Sequence, residues 1–454
     1  MKRFPISSNA IKWLETFVGH RFGFKLILSK DEDRMKMTIA GLEGAIVFNN
    51  LSPSLTESHS NQPYTVWDSS KEGWHSILND SLPAPGFTRL PTPLIEKTEN
   101  GEHVVRYDIL GLIYWMLARV EEIDRSDLDT HKRFTAKVSH GYKHGYLDRP
   151  IVDEWLHVLG QVIERQWPDI RLKNHKFKTI VTCDVDHPFE YSGNLKKILR
   201  RFAGDILKRK SLSKAVLNIF GEICVCLGYL KIDPNYKGIL YIMKECEKNN
   251  LQAEFYFITH QTDMMFDLGG GLNVKVRDLM ELISVRGHKV GLHPGYNTYL
   301  NSRAYNESVN SFFKMIKETK IDQKEFGGRQ HYLRWKTPET SRLWSGCDLN
   351  YDSTLGYADR AGFRTGTSME FTMFDAVDQK ELTVSQRPLI VMDCSIFDPR
   401  YENKELGEGL EYIRSIKEKC MKVRGNFILL WHNSNLKHDS IRKLFVNIIR
   451  ESSD

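Results

Sequence analysis

The sequence predicts an α/β chain of two domains: a smaller N-terminal α+β domain over residues 1–175, and a larger domain of alternating strands and helices over 176–454. Three observations carry this. A length of 454 residues exceeds what one ordinary core accommodates. The first part is rich in large aromatics, including Trp13, Trp67, Trp74, Trp115, Trp155 and Trp167. From Lys178 onward, short apolar runs of strand character alternate with stretches of helical period.

In chain order, the Pro-rich "SLPAPGFTRLPTPLIEKTENGEH" reads as a loop with turn chemistry. "RYDILGLIYWMLARVEEID" follows with apolar residues at helical spacing, and "DEWLHVLGQVIERQW" is a second helix, stopped by Pro168. The histidines of "SHGYKHGYL" read as functional groups or, more commonly for such a stretch, as solvated loop residues. In the second part "KTIVTCDV" is a strand, and "KGILYIMKECEKNN" is a helix running out at Asn249 and Asn250. "AEFYFITH" is the next strand, "VRDLMELISVRG" a helix closed by Gly287, and "HKVGLHPG" a third strand. The helix around "NESVNSFFKMIKET" comes next. Later strands are expected in "GGRQHYLR", "LNYDST", "PLIVMDCSIF" and "NFILLWHN", the last flanked by helices over 405–424 and 438–450. Such alternation argues for a parallel sheet or a βα barrel. In either, functional residues gather where strands end at their C-terminal edge.

Composition narrows the class. Hydrophobic residues make up 41% and charged residues 27%, as in soluble globular proteins. No run of eighteen apolar residues is present, and "MKRFPISSNAIKWLETF" offers no apolar core for a secretory signal. Seven cysteines, at 183, 224, 226, 246, 347, 394 and 420, are scattered rather than paired. Together these predict a cytoplasmic chain with reduced thiols. The net charge is +6, and residues 195–214 hold eight lysines and arginines against Asp205 alone. The excess is therefore local, which argues against a nucleic-acid partner. Leu195, Ile198, Leu199, Phe202, Ile206 and Leu207 recur at the period of an amphipathic helix within this basic stretch. It opens an insertion over about 195–232 that suits an anionic membrane surface or a diphosphate-linked substrate, or packs on its own domain.

The chemistry-bearing residues stand at strand ends. The first strand runs into Asp184-Val185-Asp186-His187, and the third into His293 with Asn297 four positions on. Later strands bring Arg329, His331 and Arg334, then Tyr351, Asp352 and Ser353, and finally His432. Two acids crowded at one strand end repel each other, and burial penalises both; a divalent cation offsets that cost.

Read in order, these motifs resemble the polysaccharide deacetylase family (carbohydrate esterase family 4, the NodB homology domain). The family's T-F-D-D is matched loosely by Thr182-Cys183-Asp184-Val185-Asp186, with Val185 inserted between the acids. Its "GHEIGNH" is matched by Gly287-His288-Lys289-Val290-Gly291-Leu292-His293, and its L-x-x-H by Leu429-Leu430-Trp431-His432. Its Arg-containing strand resembles the stretch at Arg329. The wording of "RQHYLR", "YDSTLGYAD" and "GFRTGT" looks like a bacterial surface-glycan subgroup with an N-terminal accessory domain. The resemblance implies an irregular (β/α) barrel over 176–454 that removes acetyl from an N-acetylated sugar of a surface glycan or its lipid-linked precursor. Asp184 would be the general base, His432 the general acid, and Arg329 the partner that orients the base. Asp186 and His293 would hold a divalent metal, most readily Zn2+. Asn297 stands where the family has a second metal-binding histidine, so His331 or His187 would supply the missing nitrogen. Tyr296 and Trp431 would stack on a sugar, and Asp352 and Asp393 would line the groove or orient His432. Two rival readings keep the fold: an inactive glycan-binding protein, favoured by Asn297, and an O-deacetylase.

Overall fold

The computed structural model describes residues 2–31, 34–79, 81–191, 198–199, 202–203, 206–207, 210, 212–267, 269–271 and 273–450. The chain folds as a mixed α/β protein of two compact units, each discontinuous in sequence. The first comprises Met1–Thr179, Tyr299–Ser302 and Glu325–Leu429; the second comprises Ile180–Thr298, Arg303–Lys324 and Leu430–Asp454.

In the first unit, helix Ser8–Phe22 is capped by the Ser7 hydroxyl and closed by Gly23 in the left-handed region. A five-stranded sheet follows, in the order Ile27–Asp31, Arg34–Thr38, Ile46–Phe48, His103–Val105, Ile95–Lys97. The helix expected in "RYDILGLIYWMLARVEEID" is shorter than its period suggests, Ile109–Leu117, because Arg119 turns left-handed and breaks it. It is buried on every side, as an all-apolar helix must be. Helix Ile151–Gln166 packs beside it.

Residues 325–429 close the same core. Trp13 packs on Phe374 with ring centroids 5.1 Å apart, and its indole N–H donates to the Thr372 carbonyl at 2.8 Å. Below them lies a buried charge cluster. Arg364 donates to both oxygens of Glu122 at 2.8 and 2.7 Å, and Arg119 Nε donates to Glu122 Oε1 at 3.0 Å. Burial alone would raise the Glu122 carboxyl, but Arg364 and Arg119 outweigh it and hold it at about 2. Further strands of this unit run Gly327–Gly328 beside Tyr351–Asp352 beside Lys380–Gln386, all parallel, with Phe371–Asp375 antiparallel to the last. Two expected strands shrink. "GGRQHYLR" keeps only Gly327–Gly328, because Tyr332 and Leu333 adopt positive φ and form a turn. "PLIVMDCSIF" keeps only Val391–Met392, and Asp393–Phe397 is a helix in whose first turn the Asp393 carboxylate accepts from the Cys394 N–H.

The second unit holds the parallel strands anticipated from the alternation. Lys178–Val185 pairs with Ala253–Phe257, which pairs in turn with Lys289–Leu292. The central strand is buried along its whole length, which accounts for its near-continuous apolar run. Helices Pro234–Lys248, Val274–Val285 and Ser302–Glu318 connect or follow these strands. In the insertion, helix Leu212–Cys226 is described. The amphipathic stretch before it falls largely outside the described residues, including Lys196, Lys197, Arg200, Arg201, Lys208 and Arg209.

The buried cluster makes a stability test. Glu122→Ala leaves the buried Arg364 without its carboxylate and Arg119 with Glu121 alone, 3.5 Å away, and the expected loss is roughly 3–5 kcal/mol. Urea titration followed by tryptophan fluorescence measures it. A shift of the midpoint no larger than that of an exposed Glu→Ala control contradicts the assignment.

Candidate active site

Strand geometry brings the predicted acids and histidines of the second unit together. Asp184 and Asp186 are two positions apart, so both carboxylates fall on one side of the strand end; the intervening Val185 turns into the core and is 1% exposed. Asp184 pairs in register with Tyr256, and Val185 and Leu292 both pair with Phe257. The His293 N–H then donates to the Phe257 carbonyl at 2.8 Å, extending that register by one residue. His293 Nε2 consequently lies 3.2 Å from Asp186 Oδ1 and 3.8 Å from Asp184 Oδ2. The Trp431 N–H donates to the Thr182 carbonyl at 2.9 Å, which places the next residue, His432, with Nε2 3.9 Å from Asp186 Oδ2. Asp186 is thus flanked by two imidazoles, one facing each oxygen. Asp184 and His293 are buried, whereas Asp186 and His432 retain some access to solvent.

The loops behind these groups are tied by buried polar residues. Asp233 caps helix Pro234–Lys248, accepting from the N–H groups of Asn235 and Tyr236, and its other oxygen accepts from the Tyr191 N–H at 2.8 Å. Asn235 and Asn433 each donate a side-chain amide to the His187 carbonyl at 3.1 Å. A Cβ on Gly238 would lie 2.2 Å from the Asn433 carbonyl, so only glycine lets this helix reach the loop after His432. On the other side, Asp267 is fully buried and accepts from the N–H groups of Thr262, Asp263 and Tyr296 and from the Thr262 hydroxyl, at 2.8–3.0 Å.

Asp267 and Gly269 are functional supports that sequence reasoning missed. A Cβ on Gly269 would fall 1.9 Å from the Asp186 carbonyl and 2.3 Å from His187 Nδ1. The "GGG" run at 269–271 therefore has a packing requirement at its first position. The run itself was the available signal, since a glycine without a turn role marks close backbone approach.

The other nominated residues take definite places. The exposed Asn297 donates its side-chain amide to the Thr262 carbonyl at 3.1 Å and to Asp263 Oδ2 at 3.2 Å. Tyr296 stacks on Phe266 with centroids 4.1 Å apart. Trp431 is 1% exposed and packs edge-on against Phe445. Arg329, His331, Asp352 and Asp393 belong to the first unit and are all buried there. Arg329 donates from Nε to the Ser353 carbonyl and from Nη2 to the Ser353 hydroxyl, at 2.8 and 2.9 Å. His331 sits in the turn with Tyr332 at φ 60°, and Arg133 braces that turn by donating to the Tyr332 carbonyl at 2.9 Å. Asp352 accepts from the Thr354 N–H at 2.9 Å and from the Thr354 hydroxyl. Its burial outweighs these bonds and the pull of Arg329, and pushes its carboxyl up to about 7.

Comparison with known proteins adds the following. Residues 12–168 match a family of unknown function (DUF7033). No curated protein matches. Among solved structures, the chain is similar to a protein described as a polysaccharide deacetylase from Mycobacterium smegmatis, at 12% identity and a TM-score of 0.38, over 62% of this chain and 85% of that one. It is similar to PuuE allantoinase at 13% identity and a TM-score of 0.34, over 60% and 82%. A third, described as a polysaccharide deacetylase from Pseudomonas aeruginosa PAO1, matches at 11% identity and a TM-score of 0.35, over 60% and 83%.

Asp352 predicts a pH dependence. Its folded-state carboxyl, raised to about 7 from 3.8, favours the protonated form. Its contribution to stability is therefore complete below the unfolded value and is lost as pH rises through about 7. Asp352→Asn removes this term, so the fall of Tm between pH 5 and pH 8 flattens relative to wild type. An unchanged slope in differential scanning fluorimetry contradicts the assignment.

Proposed function

We propose that the chain is a metal-dependent amide hydrolase that removes acetyl from an N-acetylated sugar. The observation that carries this reading is Asp186 flanked by His293 and His432, with Asp184 beside His293. The separation of 3.2 Å between Asp186 Oδ1 and His293 Nε2 suits two ligands of one ion. Bonds of about 2.0–2.1 Å in tetrahedral geometry set ligands about 3.3 Å apart. Asp186 and His293 would hold the ion, and Zn2+ suits a carboxylate and an imidazole. A bound divalent ion supplies an acidified water and polarises the amide carbonyl. Asp184 takes the proton of the attacking water, and His432 returns a proton to the departing sugar nitrogen. The C–N bond breaks as a C–O bond forms, giving acetate and a free amine. Of the backbone donors in His293–Asn297, those of His293, Tyr296 and Asn297 are engaged and Pro294 has none, which leaves the Gly295 N–H for the developing oxyanion.

The motif order from Thr182 to His432 supports an acetamido sugar as the substrate class and a (β/α) barrel as the frame. A non-catalytic glycan-binding role is the second reading, favoured by the Asn297 amide being tied to Thr262 and Asp263. Metal content separates the two. Wild type is expected to hold about one zinc per chain, with Asp186→Asn and His293→Ala each losing it. His432→Ala should retain the metal and lose roughly 10²–10⁴-fold in acetate release. A wild-type chain that takes up no zinc when supplied with it overturns the hydrolase reading.

The substrate is a surface glycan or its lipid-linked precursor, met at the cytoplasmic face of a membrane. Support comes from helix Leu212–Cys226 in the second unit. Its Leu212, Val216, Phe220 and Ile223, with Leu227 just beyond, recur along one stripe and are each more than half exposed. Ala215 and Val225 are buried on the opposite side. Residues 195–214, which run into its first turn, carry eight lysines and arginines, a charge suited to anionic lipid. No described helix is long and apolar enough to cross a membrane. The chain should therefore cosediment with vesicles containing anionic phospholipid but not with neutral ones, and Phe220→Ser with Ile223→Ser should lower the bound fraction severalfold. Binding unchanged by these substitutions, or self-association through the stripe in sedimentation equilibrium, contradicts a lipid partner.

A further inference from the structure

The first unit contains a cavity of about 480 Å³ between helix Ser8–Phe22, the segment 173–178, the stretch 369–372 and the loop at Arg424. Its volume suits a small ligand. Five cations line it: Arg21, Lys173, Lys176, Lys178 and Arg424. The only acid in the lining is Glu370, and its carboxylate is already held by Arg387 at 2.8 Å. Among the described residues, none of the five cations forms an ion pair. Arg424 donates to the Asn174 side-chain carbonyl, a neutral partner. Arg21 Nη1 is buried with no hydrogen-bond partner. The carboxylate nearest to it in charge, Asp153, is occupied by the Thr367 hydroxyl and by the Ser368 N–H and hydroxyl, at 2.8–3.1 Å.

Cations gathered with no free acid among them leave the cavity positively charged, and a buried guanidinium nitrogen without a hydrogen-bond partner is costly. An anion entering the cavity removes both penalties and receives charge-assisted hydrogen bonds. Phe17 and Phe371 line the same cavity and supply apolar surface beside the charges. We propose that this cavity is a binding site for a small organic anion, with the cations receiving its phosphate or carboxylate group and Phe17 and Phe371 meeting its less polar part. The inference goes beyond the hydrolase reading and does not depend on it.

Isothermal titration of the full chain at constant ionic strength tests the site, with glucose 1-phosphate, glucuronate and glucose as probes. The substitutions Lys176→Gln and Arg424→Gln lie on exposed side chains, so the double variant should fold, with an unchanged melting temperature as the control. Saturable binding of either charged probe, weakened on the order of tenfold in the double variant while glucose gives no response, supports the site. Glucose 1-phosphate alone binding identifies the anionic group as phosphate, and glucuronate alone identifies it as carboxylate. Equal response to glucose, or affinity unchanged in the double variant, overturns the proposal. Loss of zinc or of acetate release bears on the second unit and leaves this outcome untouched.

Discussion

The parallel register of three short strands is the constraint on which the candidate site depends. Val185 and Leu292 share Phe257 as their partner, so the residues just beyond each strand emerge at one level. Asp184, Asp186 and His293, spread over some 110 positions of sequence, are brought to one place by this register, and the Trp431 N–H on the Thr182 carbonyl adds His432. Side chains alternate with period two, so a slip of one residue would turn Asp184 and Asp186 to the opposite face while His293 stayed. The apolar central strand opposes such a slip, because Ala253–Phe257 is buried on both sides and pairs along its full length.

A second requirement follows. Strand register sets where the backbone ends, but the site residues lie at or past those ends, on loops that would otherwise move. Buried polar groups hold them. The Asp267 carboxylate accepts from the loops at 262–263 and 296. Asn235 and Asn433 converge on the carbonyl of His187, the residue after Asp186. Unpaired, such groups would destabilise the fold; fully paired, they specify one loop arrangement. Gly238 and Gly269 serve the same end by allowing contact that any side chain would block.

This division explains what the sequence could disclose. The alternation of strand and helix was legible from hydrophobic period, and so were the residues at strand ends, because Asp, His and Asn are conspicuous after an apolar run. Asp267 and Asn433 were not, since a buried loop carboxylate looks like any turn residue until its partners are known. Element ends failed where left-handed residues intervened: Arg119 cut a helix and Tyr332 cut a strand, though neither residue type announces positive φ. The grouping of residues 325–429 with the N-terminal segment depended on pairs such as Trp13 with Phe374 and Glu122 with Arg364, whose members stand hundreds of positions apart.

Charge shows the same limit most clearly. By sequence, the chain outside residues 195–214 is close to neutral, and nothing there suggests an anionic partner. Folding changes that reading, because neutrality in sequence does not require neutrality at each place on the surface. Arg21 ends a helix, Lys173 to Lys178 lie on a connecting segment, and Arg424 follows another helix; each is unremarkable alone. The fold assembles them in one cavity, where the one acid of the lining, Glu370, is held by Arg387 and the charge of Asp153 acts on Arg21 alone among the five. The cavity is left with an excess of positive charge and one buried guanidinium nitrogen unsatisfied. A ligand that supplies the missing negative charge gives that arrangement a physical reason.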